Sequence, residues 1–226
     1  MDWPRWEQTW YAESSRHLQP HISLATDVHD FVEFIATHEQ VVMPERTHAR
    51  FVERLLLRRL GEEYRTVELL AVAGHGFQAM TACANLFELA HTLGHVAGDE
   101  TAAATWLASD DANRTPWNIK KLVTEKGRKL AWNQARIDDE YSKYRLLCGF
   151  KHNNPVAARF LRFPGDPDLI LAQFAIAEGA HLTLIATSSV ALLRLHGQSC
   201  VQALEVANGL LDRVSGVMPS ISGIVH

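Results

Sequence analysis

An all-α fold, a single helical bundle of about seven to eight helices, is predicted by three features of this 226-residue sequence. No segment alternates apolar and polar residues over a strand length, the pattern a half-buried strand requires. Only 8 prolines and 13 glycines punctuate the chain, and most fall between long periodic segments. Two stretches, 69–87 and 179–193, contain no Asp, Glu, Lys or Arg. A helix apolar on nearly every side belongs at the centre of a bundle.

The first helix is expected near 3–18, where Trp3, Trp6 and Trp10 form a stripe that packs it onto the bundle. A second covers 26–40. A third, 45–60, starts behind Pro44, because proline suits a first helical turn. It carries Arg46, Arg50, Arg54 and Arg58 as one stripe, which Glu45, Glu53 and Glu62 are placed to pair with. The 63–95 helix holds the first charge-free run, and its Ala71, Gly74, Ala79 and Ala82 admit close neighbours. Helices 99–109 and 116–150 come next, the latter opened by Thr115-Pro116 and stopped by Asn153-Asn154-Pro155. Residues 168–178 fit helix and strand equally. Helices 180–196 and 199–215 complete the chain. The expected centre is 63–95, 116–150 and 180–196, in one domain over 1–226 whose N-terminal helices (1–62) pack on a 63–215 core.

The chain is 47% hydrophobic and 21% charged, which excludes global disorder and allows a sizeable core. A membrane span needs about 20 mainly apolar residues, whereas the two charge-free runs are shorter and carry His75, Gln78, Asn85 and His181. Neither is expected to span a membrane. Cys83, Cys148 and Cys200 are too few and too scattered for a disulfide framework or a Cys-rich zinc site. Met1 to Trp6 has no apolar signal region. A cytoplasmic protein is expected.

Charge is uneven. Residues 120–162 hold 11 of the 22 Lys and Arg, including every lysine, against four acids, so this region is +7 within a chain of net −4. A basic segment on an acidic body attracts a phosphate backbone locally, and Lys120, Lys121, Lys126, Lys129 and Lys151 are its candidate RNA contacts. The alternative is a solvated helix face.

Arg145 and His152 lie seven residues apart, two turns along one helix face, with Asp138 and Tyr141 on that face as well. A titratable histidine and an arginine suffice to cleave RNA without a metal. The imidazole moves a proton to or from the 2′-hydroxyl or leaving oxygen, and the guanidinium neutralises charge growing on phosphorus oxygens. Arg145-x6-His152 resembles the R-x4-6-H motif of the HEPN superfamily, all-helical domains found in prokaryotic defence and toxin ribonucleases. Asn85-Leu86-Phe87-Glu88, the Asp99-to-Trp106 segment and Tyr144-x2-Leu147-x4-His152-Asn153 follow an order similar to uncharacterised bacterial helical proteins with a HEPN-like core. The resemblance covers about residues 65–155 and departs from the motif at Leu146, where a polar residue is usual. It implies a homodimer with two Arg/His pairs facing each other, and a catalytic set of Arg145, His152, Asp138, Tyr141 and Asn153. If the pair is structural instead, Arg145 holds Asp138 and His152 caps the helix.

Helical Glu-x-x-His puts both side chains on one face, as in di-iron carboxylate bundles. The chain has Glu45-x2-His48, Glu88-x2-His91 and Glu178-x2-His181. Glu88, His91, Glu178 and His181 are the ligands of this alternative, but the additional inward glutamates are missing from the pattern, and no metal or other cofactor is expected. The expected function is a HEPN-like RNA-processing or RNA-binding protein, a metal-independent endoribonuclease in its catalytic form. A non-catalytic helical binding module is the first alternative and a metal-carboxylate oxidoreductase the second.

Overall fold

The computed structural model of the protein describes residues 5–42, 47–110, 116–152, 154–158 and 168–219. Its helices are α1 (Arg5–His17), α2 (Gln19–Thr37), α3 (Glu39–Val42), α4 (His48–Val72), α5 (Gly76–Val96), α6 (Glu100–Leu107), α7 (Ile119–Lys129), α8 (Gln134–Lys151), α9 (Pro155–Ala158), α10 (Leu169–Arg194) and α11 (Gln198–Val217). No strand occurs among the described residues, as the absence of alternation predicts. The helical segments exceed seven to eight, partly because α3 and α9 are single turns.

Helix boundaries move where glycine has another task. The expected break between 60 and 63 does not exist: α4 runs straight through Gly61, so the 1–62 and 63–215 division falls inside a helix. A Cβ on Gly61 would stand 3.3 Å from Val32 Cγ1, so this glycine brings α2 close to α4 rather than ending anything. The chain breaks instead at Gly74, whose φ is 86°. Here His75 N–H donates to Leu70 O and Gly74 N–H to Ala71 O, the two bonds of a Schellman C-cap. The 116–150 helix is likewise two helices. Trp132 N–H donates to Gly127 O and Ala131 N–H to Arg128 O, the same motif with alanine at φ 52°. Asn133 then caps α8 by accepting from Arg136 N–H. Alanine in that left-handed position left no sequence signal. Residues 169–178 are helical and continuous with the 180–196 helix, which ends at Arg194, and α2 begins seven residues before the expected start, with Pro20 in its first turn.

The centre is α4, α5 and α10, which make the three most extensive helix contacts. The third member is therefore α4, and α8 flanks α5. Only Ile137, Glu140, Leu147 and Phe150 of α8 are buried, because its other faces are polar. Helix α10 is long and apolar enough to cross a membrane by composition, but 72% of its most apolar window is buried inside the bundle. Tyr64 of α4 is fully buried against Gly179 of α10, where a Cβ would come within 3.0 Å of the ring, and its hydroxyl donates to Ile176 O at 3.4 Å. At the far end of the triangle, buried Glu53 of α4 takes two bonds from Arg194 of α10, at 2.8 and 2.7 Å. It also accepts from Gly98 N–H just beyond α5 at 2.7 Å.

Two opposite substitutions test this account. A Cβ on Gly76 would stand 2.9 Å from Ala172 N and against Asp168 O, both backbone atoms. Gly76→Ala is expected to lower stability by about 1–3 kcal/mol, the usual cost of overpacking. Ala131→Gly is expected to raise it by about 0.5–1 kcal/mol, because glycine adopts positive φ without a steric cost. Urea unfolding measures both, and shifts of the same sign would show that one of the two local geometries is misassigned.

Candidate functional site

Helix α8 meets α5 through aromatic and charged side chains at its C-terminal half. Glu88 of α5 accepts from the Tyr144 hydroxyl at 2.7 Å and from Lys151 Nζ at 3.3 Å. The Tyr144 ring lies 5.3 Å from that of Phe87. Burial first, then Cys148 and Glu88 beside it, push the Tyr144 phenol well up, so it stays a donor to the carboxylate. Residues singled out by the resemblance, Glu88 and Tyr144, are thus joined directly, across 56 positions of sequence.

Arg145 and His152 occupy the neighbouring face of α8, and both are exposed. His152 is the C-cap residue, its backbone N–H reaching Cys148 O, while neither its ring nor the Arg145 guanidinium has a partner among the described residues. The alternative in which Arg145 holds Asp138 does not occur: Asp138 accepts from Gln134 Nε2 at 2.8 Å. Tyr141 is half-buried, with Lys120 Nζ 5.7 Å from its ring centroid. Asn153 lies outside the described residues.

The candidate RNA-contacting lysines separate into two kinds. Lys120, Lys121 and Lys129 are exposed on α7, with Lys121 loosely paired to Glu125 at 3.8 Å. Lys151 is exposed but tied to Glu88. Lys126 turns inward, its Nζ 3.9 Å from Glu140 Oε1 and 5.5 Å from the Trp132 ring centroid. Arg136 covers that ring at 4.5 Å.

Lys126 belongs to a buried polar centre between α5, α7, α8 and α10. His91 Nδ1 is 3.0 Å from Phe87 O, so the ring N–H sits on that nitrogen and Nε2 presents a lone pair. Nε2 stands 3.5 Å from Glu140 Oε1 without a hydrogen-bond alignment. Lys143 Nζ is 3.6 Å from Glu140 Oε2. Burial opposes ionisation of Glu140, but the charges of Lys126, Lys143 and the protonated form of His91 outweigh it and hold the carboxyl at about 2. Burial also lowers His91, so the neutral ring faces a carboxylate already compensated by two ammonium groups. Glu178 of α10, 4% exposed, has one carboxylate oxygen with no partner among the described residues, and burial pushes its carboxyl up to about 7. His181, one turn on, is pulled down to about 4 by burial and by Lys143.

The metal alternative draws on the same side chains. Glu88 is engaged by Tyr144 and Lys151, and His91 Nδ1 by Phe87 O. Glu45 lies outside the described residues, and His48 pairs with Glu100 at 2.6 Å. Among the described residues no three of His, Cys, Asp and Glu converge as metal ligands. Sequence inspection missed the role of Glu140 and Lys143. Their signal was an acid and a base at i, i+3 on the one face of α8 that is otherwise apolar. No protein-family model, curated protein or solved structure matches the chain.

The polar centre has a pH signature. Glu178 titrates near 7 when folded against 4.5 in the unfolded chain, so the folded state holds the extra proton and this group costs stability as pH rises from 4.5 to 7. His181, near 4 folded against 6.5 unfolded, costs stability as pH falls through that window. The two offset each other between pH 4.5 and 6.5. Glu178→Gln removes one side, so the variant is expected to match wild type at pH 4 and to exceed it at pH 8 by up to about 3 kcal/mol. Urea unfolding at the two pH values checks this, and a loss that is larger at pH 8 than at pH 4 would mean that the carboxylate is held ionised by a partner.

Proposed function

We propose that the protein is a HEPN-like, metal-independent endoribonuclease that acts as a homodimer in the cytoplasm. One observation carries the proposal: Arg145 and His152 extend to solvent from one face of α8, two turns apart, with neither engaged by another described side chain. A salt-bridged arginine or a buried histidine would have argued for scaffolding. The neighbouring Lys151 and the exposed Lys120, Lys121 and Lys129 supply cations for a phosphate backbone. The three cysteines are free thiols, which suits a reducing compartment.

In a two-fold dimer the exposed faces of two α8 helices bring two Arg/His pairs together. One imidazole takes the proton of the RNA 2′-hydroxyl, and the 2′-oxygen attacks the adjacent phosphorus. The bond to the 5′-oxygen breaks, and a second imidazolium protonates that oxygen. The Arg145 guanidinium bridges two non-bridging oxygens in its planar fork, which a lysine cannot reproduce.

Cleavage of single-stranded RNA is expected to survive chelator and to leave 2′,3′-cyclic phosphate ends. His152→Ala is expected to lower the rate by about 10²–10⁴-fold, the contribution general acid–base catalysis makes. Arg145→Lys is expected to stay inactive, and both variants to keep wild-type helicity, since both side chains are exposed. Charge reversal at Lys120, Lys121 and Lys129 is expected to weaken RNA binding and flatten its salt dependence. Variants that cleave like wild type would overturn the catalytic assignment. Salt-sensitive RNA binding with no cleavage product would favour a non-catalytic binding module.

A further inference from the structure

A cavity of about 330 Å³ opens between α4, α5 and α6, at the low end of the range for small-ligand sites. Its apolar walls are Leu55, Leu89 and the half-buried indole of Trp106. Helix α6 presents that indole from a fixed base. Asp99 caps α6 through Ala102 N–H at 2.9 Å, and Glu100 accepts from the backbone N–H groups of His48 and Ala49 at 3.0 and 2.9 Å. The aromatic wall is therefore tied to the start of α4.

The polar rim has an uneven chemistry. Asn85 Nδ2 donates to Glu63 Oε1 at 3.3 Å, which orients both side chains and leaves Glu63 Oε2 without a hydrogen bond among the described residues. Glu88 uses Oε1 for Tyr144 and Lys151, leaving its Oε2 in the same condition. Arg59 lines the rim, exposed and without a partner among the described residues. The rim thus offers carboxylate acceptors and one guanidinium beside an aromatic face.

We propose that this cavity binds a guanine base. A planar base stacks on Trp106, as unpaired RNA bases stack on aromatic side chains. Guanine alone among the four bases presents two adjacent N–H donors on its Watson–Crick edge, N1–H and the 2-amino group, and these match one carboxylate. Its other edge carries the O6 and N7 acceptors that an arginine fork takes bidentately. Glu63 and Arg59 supply the two halves. Glu88 joins the cavity to α8 through Tyr144 and Lys151. The proposal rests on the RNA-processing assignment for its purpose, while its chemistry stands on the cavity.

Calorimetric titration with the four 5′-mononucleotides separates the two, because the phosphate is common and only the base varies. GMP is expected to bind at least tenfold more tightly than AMP, CMP or UMP. Trp106→Leu is expected to weaken GMP about tenfold, within the range that one base–aromatic stack provides. Glu63→Gln, which replaces an acceptor by an amide donor on one side, is expected to erase the preference for GMP while leaving the other three unchanged. Equal binding of all four nucleotides, or a GMP affinity indifferent to both Trp106→Leu and Glu63→Gln, would overturn the base site even if RNA is cleaved. GMP preference with the expected variant effects would uphold it even if no RNA is cleaved, and the cleavage assignment would then fall alone.

Discussion

The carboxylate of Glu53 is where the three central helices are tied together. It belongs to α4, receives both guanidinium bonds from the last residue of α10, and accepts the N–H of Gly98 just beyond α5. With the Glu53 side chain only 3% exposed, a bare charge there would be untenable, so each partner is obligatory. Losing one member of such a pair costs about 3–5 kcal/mol, mostly from the charge left stranded. Arg194 also stands at the negative end of the α10 dipole, which adds to its retention. The register of α4, α5 and α10 follows from this point, and the flanking helices take their places from that triangle.

The same low-dielectric interior explains the second polar centre. Glu140 enters the apolar face of α8 only because Lys126 and Lys143 enter with it, at 3.9 and 3.6 Å. Two ammonium groups occupy the space around Glu140 where a carboxylate–histidine cluster would place a dication. Among the described residues Glu178 has no such cation in contact and its carboxyl is pushed up, whereas His181 is pulled down. Burial drives both, and the opposite signs come from the opposite charges of their ionised forms.

Against this rigid interior, the face of α8 that carries Arg145 and His152 is unencumbered, while the next face is bolted to α5 by Tyr144, Lys151 and Glu88. Catalytic and binding groups work best on an element whose own position is held by other residues. Helix α8 has one face that anchors, one that turns inward to a compensated carboxylate, and one that faces solvent.

The all-helical class, the central place of the two charge-poor runs and the stop after His152 were legible in the residues themselves, because helical periodicity, lack of charge and proline act locally. Helix boundaries were less so. Gly61 looked like a break and proved to be a close approach to Val32, while Ala131 looked like helix and proved to be a left-handed turn. A glycine's meaning depends on what stands opposite it, and an alanine at positive φ is sustained only by the hydrogen bonds around it. The pairing of α4 rather than α8 with α5 and α10, the inward turn of Lys126 and the convergence of Glu63, Asn85, Glu88 and Trp106 on one cavity are decisions of tertiary packing. They join residues dozens of positions apart, and sequence spacing along a single helix carries no information about the face another helix will cover.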